Sequence, residues 1–221
     1  MATTYGRTVA EVRKWPVNQA ASQALADYLS ALPADPAAES MPSTLLSGSG
    51  LDFTGADLSG LDLLGAELSE AILTDVGLVE TDLYTAWLTS ADLSRANLSR
   101  ADLRKVRARG CRAVHAVFRN ADLQRADLSS AEFVGADFQG ARLQRATFSG
   151  ANLRAVDFSG CAFERTRLSR ARIAGARVEE AEGLVIGPVD VGEETPMLLN
   201  GLELEEWFNS NGATNIQVQQ P

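Results

Sequence analysis

Few side chains in this sequence could carry out nucleophilic, acid–base or metal chemistry. The 221 residues include one histidine, His115, and two cysteines, Cys111 and Cys161. No Cys/His group has the spacing of a metal site, and no glycine-rich loop precedes a helix in the way that phosphate-binding loops do. The residues therefore predict a protein that is not an enzyme and that uses no cofactor or metal.

Cationic side chains are the more informative group. Lys105, Arg125, Arg145 and Arg165 recur at a constant interval in the sequence, and Arg104 and Arg142 are expected on the same side of the molecule. Two interpretations are open: the side chains extend into water or reach Asp102, Asp122 and Glu164, or they form a surface for an anionic partner. In both interpretations, these side chains lie close together only if the chain completes one turn of a coil over that same interval of sequence.

A repeat of five residues predicts such a coil. From Leu51 to Glu180 the chain divides into 26 consecutive five-residue repeats without an insertion. The first position is Ala in 17 of them, and the third is Leu in 15 and Phe in 7. A period of five fits neither an α-helix nor an alternating strand. If the first and third residues of each repeat face inward and a corner follows each repeat, the chain forms a square coil in which four repeats complete one turn.

Several repeats match a known motif as they stand. ADLSR, ANLSR, ADLQR and ADFQG have the form A(D/N)LXX and resemble the pentapeptide-repeat proteins. The resemblance implies an all-β solenoid, a right-handed quadrilateral β-helix, here of about 6.5 coils with short helical flanks. In such a coil the second-position carboxylates are expected to accept hydrogen bonds at the corners, as turn residues do. These are Asp57, Asp62, Asp82, Asp92, Asp102, Asp122, Asp127 and Asp137.

Two neighbouring repeats, VRARG and CRAVH, depart from the motif but keep the count of five. Ala108 and Ala113 take the third position, where large side chains stand elsewhere. We expect the coil to continue through them, with Phe118 or Phe133 leaning into the space; a bend at residues 106–115 is the open alternative. Cys111 and Cys161 occupy first positions on opposite sides of the coil, too far apart for a disulfide, and are expected to be buried fillers.

The flanks divide the rest of the chain. Residues 1–32 form a helical N-terminal segment, because Ala21, Leu25, Tyr28, Leu29 and Leu32 make one helical stripe in 17–32. Residues 33–50 are assigned to a linker, 51–180 to the β-helix and 181–221 to a C-terminal cap. In that cap, Asn200 and Glu203 resemble a capping box that begins a short helix, and Ile216 and Val218 alternate as in a strand. The helix face predicts a homodimer through this end, with a contact formed by Leu204, Trp207 and Phe208.

Charge is distributed unevenly along the chain. Residues 51–90 have net charge −8, residues 91–180 have +7, and residues 181–221 have −7. No apolar run reaches membrane-spanning length and no signal peptide is recognisable, so a cytoplasmic protein is expected. The N-terminal arm is expected to cover some of the apolar residues at outward positions of the acidic part, with a partner site as the alternative. They are Leu64, Ile72, Val79, Tyr84 and Trp87.

Two functional classes remain. The first is a rigid adaptor or scaffold that binds a protein partner through its charged sides. The second follows from the resemblance, because some pentapeptide-repeat proteins mimic duplex DNA, bind DNA gyrase and protect it from poisons, which gives antibiotic resistance. Glu70, Asp75 and Glu80, with the acidic tail, would then face the enzyme's DNA groove, although the +7 middle segment opposes this. Direct nucleic-acid binding by the arginines is a third alternative, and no small-molecule substrate or membrane is expected.

Overall fold

The computed structural model describes residues 5–33 and 44–219, and its central part is a coil with four sides. The second residue of each repeat pairs in parallel with the second residue four repeats later, from Asp52 with Ile72 to Asp157 with Arg177. The third residue of a repeat donates its N–H to the neighbouring coil, as from Phe53 to the carbonyl of Ile72 at 2.8 Å. We number the sides by their first complete repeats: side 1 begins with 51–55, side 2 with 56–60, side 3 with 61–65 and side 4 with 66–70.

Each corner of the coil is a tight turn. The first residue of a repeat donates its N–H to the third residue of the preceding repeat, as from Ala56 to Phe53 at 3.0 Å. The fifth residue has a positive φ in all 26 repeats between 51 and 180, and 17 of these residues are not glycine. A left-handed conformation costs a non-glycine residue about 1–2 kcal/mol. The non-glycine corner residues are therefore strained, and their side chains project outward from the coil.

The predicted corner role of the second-position aspartates is confirmed. In all eight of them, one carboxylate oxygen accepts the N–H of the residue two positions later, at 2.8–3.2 Å. These hydrogen bonds satisfy backbone donors at the turn, as Asx turns do. The aspartates are therefore part of the scaffold.

First and third residues fill the inside of the coil. Phe118 and Phe138 stack with ring centres 4.6 Å apart, and Phe133 packs edge-on against both. Ala108 and Ala113 point inward and are fully buried, so the prediction of a continuous coil through residues 106–115 is confirmed. A void of about 10 Å³ remains beside Ala108, lined only by apolar residues that include Phe118 and Phe133. It is about the smallest space that holds a water molecule and has no polar partner for one.

An arm and a helix cover the N-terminal end of the coil. A 3-10 helix spans Val9–Glu11, and α1 spans Gln19–Ala31, with the buried residues Ala21, Leu25, Tyr28 and Leu29 facing the core. The arm pairs Gly6 with Leu61 and Lys14 with Asp57. Residues 34–43 of the predicted linker lie outside the described residues. The coil begins earlier than residue 51, because Ser47 already pairs with Glu67 and residue 50 donates to the carbonyl of residue 69.

The C-terminal end of the molecule combines short strands with a helix. Strands β1 (Ala162–Arg167), β2 (Glu182–Ile186) and β5 (Asn215–Gln219) form a parallel sheet in the order β1-β2-β5. Strands β3 (Val189–Asp190) and β4 (Leu198–Leu199) form an antiparallel pair. Helix α2 spans Gly201–Ser210 and ends before Gly212.

Two predictions for the C-terminal cap need correction. Asn200 precedes α2, but its side chain makes no capping hydrogen bond, so the predicted capping box is absent. Leu204 and Phe208 do not form an outer face, because they are 0% and 1% exposed and pack into the core of the same chain. Trp207 is half-buried, with its ring centre 5.2 Å from that of Phe208. The predicted dimer contact is thus used mainly inside one chain.

Candidate functional site

The structure places both cysteines inside the coil, as the sequence predicts. Cys111 and Cys161 are free and buried, and burial raises the pKa of each thiol to about 12, which keeps both protonated and unreactive. Among residues 5–33 and 44–219, no group of His, Cys, Asp and Glu is arranged to bind a metal ion. No helix in the same ranges has the length and apolar character needed to span a membrane.

The cations of interest stand at one corner of the coil. Lys105, Arg125, Arg145 and Arg165 are the fifth residues of consecutive side-3 repeats, and we call them the cationic column. Their φ angles are 59°, 62°, 60° and 53°, and all four side chains are exposed. The left-handed corner turns each side chain outward at the edge between sides 3 and 4. Successive members are separated by one coil, about 4.8 Å.

The cationic column lacks acidic partners. Arg125, Arg145 and Arg165 form no ion pair and no side-chain hydrogen bond within the described ranges, and Lys105 donates only to the hydroxyl of Tyr84. Two arginines at other corners differ from the column, since Arg95 pairs with Asp75 and Arg100 with Glu80, each at 2.7 Å and one coil away; Arg170 forms no ion pair with a described residue. The column thus concentrates positive charge that the molecule does not neutralise.

Arg104 and Arg142 differ from the column although they lie on the same side. Arg104 forms an ion pair with Asp102, and Arg142 with Asp122 at 3.1 Å. The hydrogen bond to Asp102 is the main cause that raises the pKa of Arg104. The sequence interpretation in which the arginines reach nearby acids therefore holds for these two residues and not for the column.

Three concavities follow the edge between sides 3 and 4. They have volumes of about 260, 200 and 460 Å³ from the N-terminal to the C-terminal end. The first is lined by Leu45, Leu64, Gly65, Thr85, Trp87, Lys105 and Arg107, the second by Tyr84, Arg104, Lys105, Gln124 and Arg125, and the third by Arg145, Arg165, Arg167, Ile186 and Gln219. Every member of the cationic column lines at least one of them.

Aromatic side chains adjoin the column at its N-terminal end. The amino group of Lys105 lies 5.0 Å from the ring centre of Tyr84, and the guanidinium carbon of Arg107 lies 4.2 Å from that of Trp87. Trp87, Leu64 and Ile72 are 41%, 43% and 42% exposed, so the N-terminal arm leaves these three of the five outward apolar residues accessible. Ile72 lies on side 1, away from the column, whereas Trp87 and Leu64 line the first concavity.

The acidic residues of the DNA-mimic alternative do not share a surface. Glu70, Asp75 and Glu80 occupy the fifth positions of repeats on sides 4, 1 and 2. Asp75 accepts two hydrogen bonds from Arg95, which lower its pKa, and Glu80 pairs with Arg100 at 2.7 Å. Two of the three negative charges are therefore compensated within the chain.

A stack of carboxylates that sequence reasoning missed lies under the N-terminal arm. Asp62, Asp82 and Asp102 are second residues of consecutive side-3 repeats and pair through their backbones. Burial, with the neighbouring Asp102 and Asp62, raises the pKa of Asp82 to about 6. Arg7 from the arm forms a salt bridge with Asp62 at 2.6 Å. The signal was present in the sequence, because the three aspartates are separated by the same interval as the cations of the column.

Comparisons with known proteins agree with this architecture. A family model described as pentapeptide repeats matches, in 8 copies, residues 52–89, 77–112, 114–150, 131–170 and 146–181. A solved structure of HetL, a pentapeptide repeat protein involved in heterocyst differentiation regulation from the cyanobacterium Nostoc sp. strain PCC 7120, is 26% identical, with a TM-score of 0.53 over 63% of this chain and 76% of HetL. These two findings indicate a right-handed β-helix.

Two further solved structures match with lower TM-scores. Rfr23, a pentapeptide repeat protein from the cyanobacterium Cyanothece 51142, is 30% identical over 43% of this chain and 62% of its own, with a TM-score of 0.34. Full-length QnrB1, a plasmid-mediated fluoroquinolone resistance protein, is 18% identical over 78% of this chain and 85% of its own, with a TM-score of 0.42. A comparison with curated proteins gives no match.

Proposed function

Because this chain belongs to the pentapeptide-repeat family, we propose that it is a non-enzymatic interaction module, a rigid scaffold that binds an anionic protein partner through the cationic column. The coil keeps the backbone of the four cationic residues at fixed spacing, so little backbone order has to be gained on binding. We expect this interaction to take place in the cytoplasm.

The observation that carries this proposal is the stacking of four cations at one corner of the coil, where no described acidic side chain pairs with them, whereas Arg95 and Arg100 at other corners form ion pairs. Stacked like charges on neighbouring strands are unfavourable, so Arg125 above Arg145 costs stability that the chain recovers nowhere among its described residues. Trp87, Tyr84 and Arg107 beside the column are of the residue types that dominate binding energy at protein interfaces. An anionic partner would relieve the repulsion and cover the aromatic rings.

The charge distribution favours a protein partner over a nucleic acid. Residues 51–90 and 181–221, with net charges of −8 and −7, lie on both sides of the +7 segment along the chain. A duplex is negative along its whole length and would be repelled at both ends of the rod. A protein with a limited acidic face avoids those ends.

Affinity capture followed by reconstitution tests the proposal. Wild-type protein and the Arg125→Ala, Arg145→Ala double variant would be used to capture partners from a lysate of the source organism, and partners retained only by wild type would be purified. We expect the double variant to bind such a partner at least about tenfold more weakly, with a salt dependence reduced by two ion contacts. The Arg95→Ala, Arg100→Ala variant removes the same charge from paired arginines and serves as control. Equal affinity of wild type and the column variant would contradict the proposal.

The DNA-mimic alternative rests on the acidic segments at the two ends of the rod. It predicts that the protein inhibits gyrase supercoiling, or protects it from a poison, and that Glu70→Lys, Asp75→Lys, Glu80→Lys abolishes the effect. The ion pairs of Asp75 and Glu80 weigh against it. A supercoiling assay without any effect of wild-type protein would exclude this alternative.

We further propose a homodimer through the C-terminal end, with a contact different from the one predicted. With Leu204 and Phe208 buried, the apolar side chains still exposed at this end are Met197, Leu198 and Leu202, at 50%, 57% and 75%. They are close in sequence: Met197 directly precedes β4, Leu198 lies on β4, and Leu202 lies in the first turn of α2. A second copy that presents the same residues around a two-fold axis would cover them, since such an interface is self-complementary.

A further inference from the structure

The pairing register of 20 residues between coils is first lost next to Arg165. In the coils before it, each corner residue has another corner residue 20 positions later, on the next coil. Thr166 instead pairs with Val185, and Arg167 with Ile186, each 19 positions later, and the register shifts between Glu164 and Thr166. The shift reaches 18 positions at Arg172 and Asp190. The corner at Arg165 is a bulge with no corner residue stacked beneath it.

This missing corner creates the concavity of about 460 Å³ at the C-terminal end of the cationic column. Ile186 of β2 and Gln219 of β5, which pair with each other, line it from the cap side, and Arg145, Arg165 and Arg167 line it from the coil. Bulges in natural sheets redirect side chains and are frequent next to functional sites. The volume falls in the range of small-molecule and side-chain pockets.

The positive charge in this cavity has no ion-pair partner among the described residues. Arg145, Arg165 and Arg167 form no ion pair or side-chain hydrogen bond within residues 5–33 and 44–219. Glu164 on β1 and Glu182 on β2 are exposed and form no ion pair with a described residue. Arg177 on side 2 differs from the three arginines of the cavity, since it forms ion pairs with Asp157 at 3.5 Å and with Glu179 at 3.7 Å.

We propose that Arg145, Arg165 and Arg167 form a binding site for a phosphoryl group, with Gln219 contributing an amide to its ester or hydroxyl side. Guanidinium forks match the oxygens of a phosphoryl group in geometry and bind it through paired hydrogen bonds. Three guanidiniums suit an anion that carries nearly two charges better than a single carboxylate. The inference rests on the proposed function in one respect, because two of the three arginines belong to the cationic column.

Isothermal titration of the full chain with inorganic pyrophosphate tests the site directly. We expect saturable binding of one pyrophosphate per chain, and a Kd raised at least about tenfold by Arg165→Gln or Arg167→Gln, as loss of a charge-assisted pair of hydrogen bonds predicts. Arg165→Lys keeps the charge but loses the fork, so its Kd should lie between those of wild type and Arg165→Gln. Circular dichroism would establish that each variant retains the coil.

Arg170→Gln is the matched control, because Arg170 is also an exposed fifth residue with positive φ but does not line the cavity. Its Kd should stay within about twofold of wild type, since it contributes only distant charge. No saturable binding of pyrophosphate to wild type, or an equal loss in Arg170→Gln and Arg165→Gln, would overturn the site.

A second titration distinguishes the source of the phosphoryl group. A short neutral peptide with one phosphoserine that binds more tightly than pyrophosphate, while its unphosphorylated twin does not bind, would assign the site to a phosphorylated protein. Tighter binding of pyrophosphate would assign it to a small phosphorylated molecule. Arg125→Ala separates this inference from the proposed function, because Arg125 lies outside the cavity and should affect the protein partner only.

Discussion

The guanidinium of Arg107 lies over the ring of Trp87, at 4.2 Å, and the two residues pair across neighbouring coils of side 4. An exposed cation–π contact of this kind stabilises a protein by about 0.5–1 kcal/mol. At the edge of the cationic column it also holds a flat apolar ring and a cation in one fixed arrangement. Such a pair can contact an apolar side chain and a carboxylate of the same partner.

Trp87→Ala should therefore reduce affinity for the partner at least about tenfold, while the free energy of unfolding falls by about 2–3 kcal/mol through loss of the buried part of the ring and of the cation–π contact. Ile72→Ala is the matched control, because Ile72 is also a second-position residue with similar exposure but lies on side 1. Calorimetric affinity and urea unfolding would be measured on both variants. Equal affinities of the two variants would remove Trp87 from the interface.

The cationic column should reduce the stability of the free protein. Each stacked pair at a solvated corner repels by about 1 kcal/mol or less, and high salt screens that repulsion. The Arg125→Ala, Arg145→Ala variant should therefore melt at the same or a higher temperature than wild type at low salt, with the difference disappearing at high salt. The Arg95→Ala, Arg100→Ala variant should melt lower, since it loses two ion pairs. A lower melting temperature of the column variant would show that its arginines stabilise the coil.

Corner strain can be measured with two opposite substitutions. Ala155 is a fifth residue with φ 55°, and Gly160, at the next corner, has φ 65°. Ala155→Gly should raise the free energy of unfolding by about 1 kcal/mol, because glycine adopts this φ without strain. Gly160→Ala should lower the free energy of unfolding by a similar amount, because alanine is strained at this φ. The added methyl group would meet no atom closer than the backbone N of Gly140 at 4.0 Å, so no clash adds to the strain. Changes of the same sign in both variants would refute the corner account.

Much of the coil follows from the sequence because its repeats are local and uniform. The first and third residues face inward wherever the count of five holds, including Ala108 and Ala113. Pairs such as Asp75 with Arg95 and Glu80 with Arg100 could also have been found, because the acid and the base stand four repeats apart. At the corners, that spacing distinguishes Arg95 and Arg100 from the cationic column, whose members stand four repeats from one another.

The ends of the coil were harder to predict because their packing depends on distant residues. Leu204 and Phe208 have the spacing of an exposed apolar stripe, yet the cap buries them, and only the position of α2 against β5 and the last coil determines this. The bulge at Arg165 also has no signal in its own repeat, CAFER, because it results from how β2 pairs with β1. The phosphoryl-site candidate could therefore not be read from the sequence.

The dimer proposal predicts different effects for substitutions at surface and core residues of the C-terminal end. Leu202→Glu, at a position 75% exposed, should convert a dimer to a monomer without lowering the melting temperature of the monomer. Phe208→Ala should instead destabilise the fold by about 3–5 kcal/mol, as removal of a buried aromatic ring does. Light scattering at tens of micromolar, with thermal melts, would distinguish the two. A monomeric wild type at that concentration would rule the dimer out.

The carboxylate stack under the N-terminal arm gives the free energy of unfolding a defined pH dependence. The pKa of Asp82 is raised from 3.8 to about 6, mainly by burial and then by Asp102 and Asp62, with Arg104 acting in the opposite direction. A raised pKa means that the folded state holds the proton more tightly than the unfolded state. The stability contributed by protonated Asp82 is complete below about pH 4 and is lost as pH rises through about 6.

Asp82→Asn should therefore raise the free energy of unfolding at pH 7.5 by roughly 1–2 kcal/mol, less than the full linkage value because this side chain is only partly buried. The amide keeps an acceptor for the N–H of Tyr84, so the corner hydrogen bond is retained. The gain should shrink toward zero near pH 4, where wild-type Asp82 is itself neutral. Asp52→Asn is the control of opposite sign, since hydrogen bonds from Thr54 lower the pKa of Asp52 and the variant should lose stability at pH 7.5. Urea unfolding across this pH range measures both, and an Asp82→Asn gain that is equal at pH 4 and pH 7.5 would show that the ionised carboxylate is not its cause.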